Sequence, residues 1–167
     1  MKIKFLLVFL FLFVFSFCAV FAGEVNLGNK IAYIPDDYMF LDSSNGVSTY
    51  MNSSTFEAIG LVEQGLDNAS NIDLDMSSDF MTDLMKQQLA QSNMTVNSSE
   101  KLNINGKKIA LLRCNSPMFG DVLTAYYAEQ GHLYMFMYMK MDMSGQKSVV
   151  DYGKGKNLII SIINSIH

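Results

Sequence analysis

The chain has 167 residues, with 12 basic and 16 acidic side chains and a formal net charge of −4. Half of the residues are hydrophobic, which suits one globular domain with a sizeable core. The acidic balance argues against nucleic acid and anionic lipid as partners, because both attract basic proteins.

The first 22 residues have the pattern of a secretory signal peptide. Lys2 and Lys4 give a positive start, an apolar run extends from Phe5 to Phe15, and small residues precede a cleavage point between Ala22 and Gly23. We therefore predict a signal peptide of residues 1–22 and a single mature domain of residues 23–167, secreted or held in the cell envelope. Without the two lysines, 10 basic side chains oppose 16 acidic ones, so the mature domain carries a net charge of about −6.

Two alternatives for this segment stay open. From Phe5 to Ala22 the stretch counts 18 residues, close to the roughly 20 that span a bilayer. An uncleaved helix would anchor the protein with its lysines inside, and only then would a membrane be a partner. Lipid attachment at Cys18 is disfavoured, because Phe17 stands where that signal has Gly or Ala.

The mature domain retains a single cysteine, Cys114, so no intramolecular disulfide can form. It ends the run Ala-Leu-Leu-Arg-Cys, which predicts a buried strand with the thiol packed as a small hydrophobe. Neither His132 nor His167 stands in a motif that would activate a nucleophile. We expect no catalytic residue, no cofactor and no enzymatic activity. A cleft with Cys114 or His132 within about 3.5 Å of a carboxylate would contradict this expectation.

Short segments separated by turn signals predict four strands in the first half. Pro35-Asp36-Asp37 ends the first strand, and Asn45-Gly46 accepts the positive φ of a hairpin turn. The predicted strands are residues 30–34, 38–42, 47–52 and 56–63, and residues 65–75 are predicted to form a loop.

The clearest helix follows this loop. Ser77 or Ser78 can cap its first turn, and Asp79 suits the positive end of the helix dipole. Apolar residues at helical spacing then predict one buried stripe, formed by Phe80, Met81, Leu84, Met85 and Leu89.

The second half alternates like a meander that closes with a helix. Asn105-Gly106 is a strong hairpin signal, and Gln130-Gly131 marks another turn. The predicted strands are residues 100–104, 107–114, 122–128 and 133–141, and the final helix is marked by Leu158, Ile159, Ile162, Ile163 and Ile166. We predict an α+β sandwich: an antiparallel sheet of about six to eight strands packed by a central and a C-terminal helix.

This order of elements resembles the PsbP-like fold. The features that carry the resemblance are a strand ending in Ile-Pro-Asp-Asp, the central amphipathic helix, the Asn-Gly hairpin and the closing Leu-Ile-Ile-Ser-Ile-Ile-Asn-Ser-Ile helix. The resemblance covers residues 26–166 and includes no catalytic signature. It implies a non-enzymatic accessory or binding domain, and it does not imply a role in photosynthesis.

Methionine alternates with aromatic residues along the last predicted strand. One face carries Met135, Met137, Met139 and Met141, and the other carries Tyr134, Phe136 and Tyr138. We expect the methionine side to pack beneath a helix, where flexible thioethers fill irregular gaps. The alternatives are a Cu(I) site of soft thioethers, which no histidine joins, and an exposed apolar contact surface.

Two further patterns have ordinary explanations. Oxygen-rich side chains precede the central helix, but Met76 and Thr82 stand where a calcium-binding loop has Gly and Glu, so we expect a solvated loop. These side chains are Asp67, Asn71, Asp73, Asp75 and Asp79. Four Asn-X-Ser/Thr sequons fall in predicted turns or loops, where a host that modifies exported proteins can glycosylate them. They begin at Asn52, Asn68, Asn93 and Asn97.

The sequence leaves two classes of function. The first is an exported or envelope-associated accessory domain that binds an unknown protein or envelope component. The second is a soft-metal carrier that uses the methionine strand. How exposed the methionines are separates the two classes.

Overall fold

The computed structural model describes residues 23–44, 46–66, 74–141 and 148–167. Within these ranges the elements are β1 (Glu24–Leu27), β2 (Lys30–Tyr33), β3 (Met39–Ser44), β4 (Val47–Asn52), β5 (Glu57–Gly65), α1 (Asp79–Gln91), β6 (Thr95–Ile104), β7 (Lys107–Ser116), β8 (Gly120–Glu129), β9 (His132–Lys140) and α2 (Tyr152–Ser165). β1 and β2 form a separate hairpin, and the other seven strands form one antiparallel sheet in the order β3-β4-β5-β9-β8-β7-β6. The predicted α+β sandwich is confirmed.

Both glycine hairpins of the second half join neighbouring strands. Asn105 and Gly106 connect β6 to β7, Gln130 and Gly131 connect β8 to β9, and all four residues have positive φ. Two consecutive positive φ values are typical of type I′ turns, whose twist matches that of the flanking strands. These turns set the register of the meander.

Helix α2 covers one face of the sheet. Its buried isoleucines are Ile159, Ile162 and Ile163. They pack in one cluster with Phe136 of β9, and Leu27 and Ala32 of the β1–β2 hairpin join the same cluster. This face is the closed side of the domain.

Helix α1 lies on the opposite face. Ser78 caps it by accepting a hydrogen bond from the Met81 amide at 3.3 Å, as predicted. Met85 and Leu89 pack in one buried cluster with Leu112 and Cys114 of β7.

The predicted stripe on α1 is wrong at Phe80, whose side chain is 76% exposed. Phe80 and the buried Met85 are five positions apart, which is about 140° around an α-helix. A stripe centred on Met85 therefore turns Phe80 towards solvent.

Two boundaries also differ from the prediction. β1 is an unpredicted strand of four residues, and β2 is its only partner within the described residues. β6 begins at Thr95, five residues early, with an irregular register between Val96 and Ser98. β1 alternates polar and apolar residues but has only four of them, which is too short a run to mark a strand, and the first five residues of β6 are mostly exposed and polar.

Candidate functional site: the methionine face of the sheet

Strand β9 has one closed face and one half-open face. On the closed face Tyr134, Phe136 and Tyr138 are fully buried in the cluster beneath α2. On the other face the side chains of Met135, Met137 and Met139 are only half-buried. The expectation that these methionines lie beneath a helix is therefore only partly correct. The physical reason is that α1 lies closest to β6, on the side of the sheet remote from β4 and β5.

We call the half-open surface the methionine face, and it comprises Met135, Met137 and Met139 with the residues directly opposite them. Those residues are Val62 and Tyr126 beside Met135, Gly60 and Thr124 beside Met137, and Ala58 and Val122 beside Met139. Directly paired residues of antiparallel strands share one side of the sheet. Met141 lies beyond the end of β9, where its amide donates a hydrogen bond to the Phe56 carbonyl at 2.8 Å.

A groove of about 240 Å³ runs along the methionine face between β9 and the C-terminal end of α1. Leu133, Met135 and Met137 of β9 line it on one side. Leu89 of α1 and Met94, three residues past the helix, line it on the other. The groove is thus built from apolar side chains of two elements that are far apart in the sequence.

The end of α1 places Met94 in this groove. Asn93 has a φ of 57°, and its amide donates to the Ala90 carbonyl at 3.0 Å, while the Met94 amide donates to the Leu89 carbonyl at 2.9 Å. This pair of bonds is the Schellman motif, in which the residue after the left-handed position contacts the last turn of the helix. Met94 is therefore held beside Leu89 by the backbone.

Gly60 makes room for Met137. A Cβ atom at Gly60 would lie 3.3 Å from Met137 Cε and 3.5 Å from Val47 Cγ1. The thioether of Met137 can thus lie across β5 because the opposite residue has no side chain.

The groove is electrically neutral. Its lining includes Gln64, Gln88 and Ser92 but no carboxylate, amine or imidazole. Burial raises the pKa of Tyr126 to about 12, so its hydroxyl stays protonated at neutral pH. Among the described residues, no group of three or more His, Cys, Asp or Glu side chains could hold a metal ion.

Cys114 matches its prediction, whereas His132 does not. The Cys114 thiol is fully buried, lies 3.8 Å from Thr124 Oγ1, and has a pKa raised by burial. His132 Nδ1 lies 2.5 Å from Glu63 Oε1, which is within the distance stated above as contradicting the non-enzymatic expectation, although neither residue lines the groove of the methionine face. The two residues meet because β5 pairs with β9, and 69 residues separate them in the sequence.

Cys114 and His132 cannot act together as a nucleophile and a base. Cys114 of β7 is paired with Val122 of β8, and Val122 is paired with Met139 of β9. Cys114 therefore lies on the methionine side of the sheet. His132 is seven residues from Met139 along β9, which is about 23 Å, and it points to the other side. The Cys114 thiol therefore cannot serve as a nucleophile for the His132–Glu63 pair.

A second ionic cluster ties α2 to the sheet. Glu57 of β5 accepts hydrogen bonds from Lys154 Nζ at 2.6 Å and from Thr55 Oγ1 at 2.9 Å. Burial alone raises the pKa of the Glu57 carboxyl, but hydrogen bonds from Lys154, Thr55 and Tyr138 outweigh it, and the pKa lies below its ordinary value. We interpret this cluster as structural, because it joins the first turn of α2 to β5.

The sequons differ in accessibility. Asn52 is 5% exposed; its amide group donates to Asp37 at 2.6 Å and its carbonyl oxygen accepts from Ser54 and Thr55. A glycan at Asn52 would break these bonds, so the folded domain disfavours this site. Asn93 and Asn97 are exposed, and Asn68 lies outside the described residues.

The N-terminal and acidic segments are described only in part. Ala22 and the preceding residues lie outside the described part of the chain, and the Gly23 carbonyl accepts a hydrogen bond from the Ile34 amide. None of the helices in the described ranges has the length and apolarity to cross a bilayer.

Of the oxygen-rich side chains before α1, Asp67, Asn71 and Asp73 are outside those ranges. Asp75 and Asp79 form ion pairs with Lys108 and Lys101.

The architecture defines the domain as a PsbP-like α+β sandwich. The structure is similar to the solution structure of cyanobacterial PsbP from Synechocystis sp. PCC 6803, with a TM-score of 0.56, 15% identity, and 87% of this chain and 92% of that chain covered. It is also similar to a crystal structure from Bacteroides thetaiotaomicron, with a TM-score of 0.51, 10% identity and 87% coverage, although it spans only 48% of that chain. No protein-family model and no curated protein sequence matches the chain. At these identities the likeness concerns the fold alone.

Proposed function

We propose that this protein is an exported, non-enzymatic accessory domain that binds a protein or envelope component through its methionine face. The observation that carries the proposal is the neutral, half-open groove beside Met135 and Met137. Unbranched, polarisable methionine side chains adapt to partners of different shape, and such residues are common on binding surfaces. A half-buried row of them on an otherwise packed sheet is therefore suited to recognition.

Export is supported by the charged start, the apolar run and the small residues that end at Ala22. In the alternative arrangement the same segment stays uncleaved and anchors the domain to the membrane. The methionine face can serve as a binding surface in either arrangement.

The non-enzymatic part of the proposal rests on the arrangement of polar groups. Glu57 and Lys154 neutralise each other, and Cys114 is buried beneath α1 with a raised thiol pKa. The His132–Glu63 pair places an imidazole beside a carboxylate, but Cys114 lies on the other side of the sheet from it. Replacement of His132 by Gln should therefore leave binding through the methionine face unchanged.

Methionine oxidation by peroxide tests whether this face is occupied in the host, because sulfoxide formation follows solvent access to the sulfur. Purified protein and intact host cells would each be treated with peroxide until Met118 is oxidised to the same extent. Met118 is 80% exposed and serves as the internal standard. We expect Met135, Met137 and Met94 to be oxidised at least several-fold more slowly in cells than in the purified domain. Equal rates in the two samples would show that the methionine face is unoccupied and would contradict the proposal.

A further inference from the structure

Three thioethers from two separate elements meet at the groove. Met135 and Met137 come from β9, and Met94 is placed opposite them by the Schellman turn that ends α1. All three side chains are half-buried, so each is in contact with the groove and accessible from solvent. The set differs from the four alternating methionines of the last strand, because it replaces Met139 and Met141 with Met94.

The spacing permits the sulfurs to converge. Met135 and Met137 are two residues apart on one side of a strand, so their Cα atoms are about 6.6 Å apart. Each side chain has three rotatable bonds, so the Met137 thioether, whose methyl group now lies over Gly60, can turn without a change in the backbone. Convergence therefore needs rotation of side chains and no movement of the sheet.

The donor chemistry selects a soft cation of low charge. Thioethers favour Cu(I), whereas Mg²⁺ and Ca²⁺ are usually held by oxygen ligands that include carboxylates, and no carboxylate lines this groove. Neutral ligands do not offset a double positive charge in a groove without carboxylates. A single positive charge is less costly to place there.

We propose that Met94, Met135 and Met137 bind one Cu(I) ion in the groove of the methionine face. The inference rests on the proposed role of this face as the binding surface, and it names a ligand class for it. Binding is coordination without electron transfer, so the ion must be supplied as Cu(I). A half-open site of this kind leaves the ion accessible to a partner that docks on the same face.

The test is an anaerobic titration of the purified mature domain with Cu(I) against a chromophoric Cu(I) chelator. We expect one equivalent to bind, with no competition from Zn²⁺ or Ca²⁺. Replacement of each of the three methionines by Leu keeps the volume and the apolar character, so the fold should be retained. Each change should weaken Cu(I) binding at least tenfold or so, the loss that is typical even of outer-shell changes at metal sites. The matched control is Met118→Leu in the exposed β7–β8 turn, which should leave the affinity unchanged.

A second readout locates the ion. With ¹³C-labelled methionine methyl groups, Ag(I), a redox-stable substitute for Cu(I), should shift the signals of Met94, Met135 and Met137 and leave that of Met118 in place. Equal shifts of all exposed methionines, or affinity unchanged by the three Leu variants, would overturn the copper site.

Alkylation footprinting of the methionine sulfurs in cells grown with and without a Cu(I) chelator separates this inference from the broader proposal, because an alkylating reagent does not oxidise Cu(I) as peroxide does. Loss of protection of the three methionines would support copper as the occupant. The opposite result is protection that persists in chelator-grown cells, together with purified protein that does not bind Cu(I). That result would overturn the copper site and retain the methionine face as a surface for a macromolecular partner.

Discussion

The ring of Tyr138 lies directly against the backbone of Gly155, and this contact sets the distance between α2 and the sheet. A Cβ atom at Gly155 would be 2.4 Å from Tyr138 Cδ1 and 2.6 Å from Cε1. Tyr138 is fully buried, so its ring has no free space into which to move. Because Gly155 has no side chain, the first turn of α2 can pack directly on this ring.

Gly155→Ala should lower the free energy of unfolding by about 1–3 kcal/mol, the usual cost of overpacking a core. Chemical denaturation measures the change. Gly153→Ala is the matched control in the same helix turn, because its nearest neighbour would be Asp151 Oδ1 at 3.5 Å. There the helix propensity of Ala should give a gain of roughly 0.5–1 kcal/mol. Equal effects at both positions would contradict the close approach of α2.

The two faces of β9 should respond differently to truncation. Phe136→Ala removes a fully buried ring and should cost about 3–5 kcal/mol. Met137→Ala removes a half-buried side chain beside an open groove and should cost only about 1 kcal/mol, below the 2–5 kcal/mol of a closed core site. Urea denaturation of the two variants provides the comparison, and similar large losses would indicate that the methionine face is closed.

The Glu57–Lys154 pair should contribute to stability in a pH-dependent way. The pKa of Glu57 is lower in the folded domain than its ordinary value of 4.5. The stabilisation is therefore fully present above about pH 4.5 and is lost as the pH falls through the folded-state pKa. Thermal denaturation across this range should show a shallower acid dependence for Glu57→Gln than for the wild type. Asp83→Asn, which removes an exposed ion pair with Lys86, should leave the slope close to that of the wild type.

The signal peptide can be tested on exported material. Sequencing of its N-terminus should begin at Gly23, because the small residues before it fit a signal-peptidase site. An intact Met1 on membrane-bound protein would support the uncleaved anchor instead.

Local patterns were sufficient to predict most of the fold. Gln130-Gly131 marks a turn whose geometry then determines the pairing of β8 with β9, and the cap at Ser78 marks the start of α1. β1 escapes prediction because an alternation of polar and apolar residues over only four positions is too short to stand out.

The site was less predictable because it depends on contacts between distant segments. Alternation along β9 shows that Met137 and Phe136 face opposite ways, but it does not show which side a helix covers. The contributions of Gly60 and Met94 follow from strand register and from the turn after α1. The pairing of His132 with Glu63 likewise needs the register of β5 against β9.

The most direct test of the half-open methionine face is the rate of peroxide oxidation of each methionine in the purified domain. Met118, which is 80% exposed, should react fastest, and Met76, which is 0% exposed, should react slowest. We predict intermediate oxidation rates for Met94, Met135 and Met137. All rates are measured while the domain is still folded. Rates for these three as slow as that of Met76 would show a closed core and contradict the account.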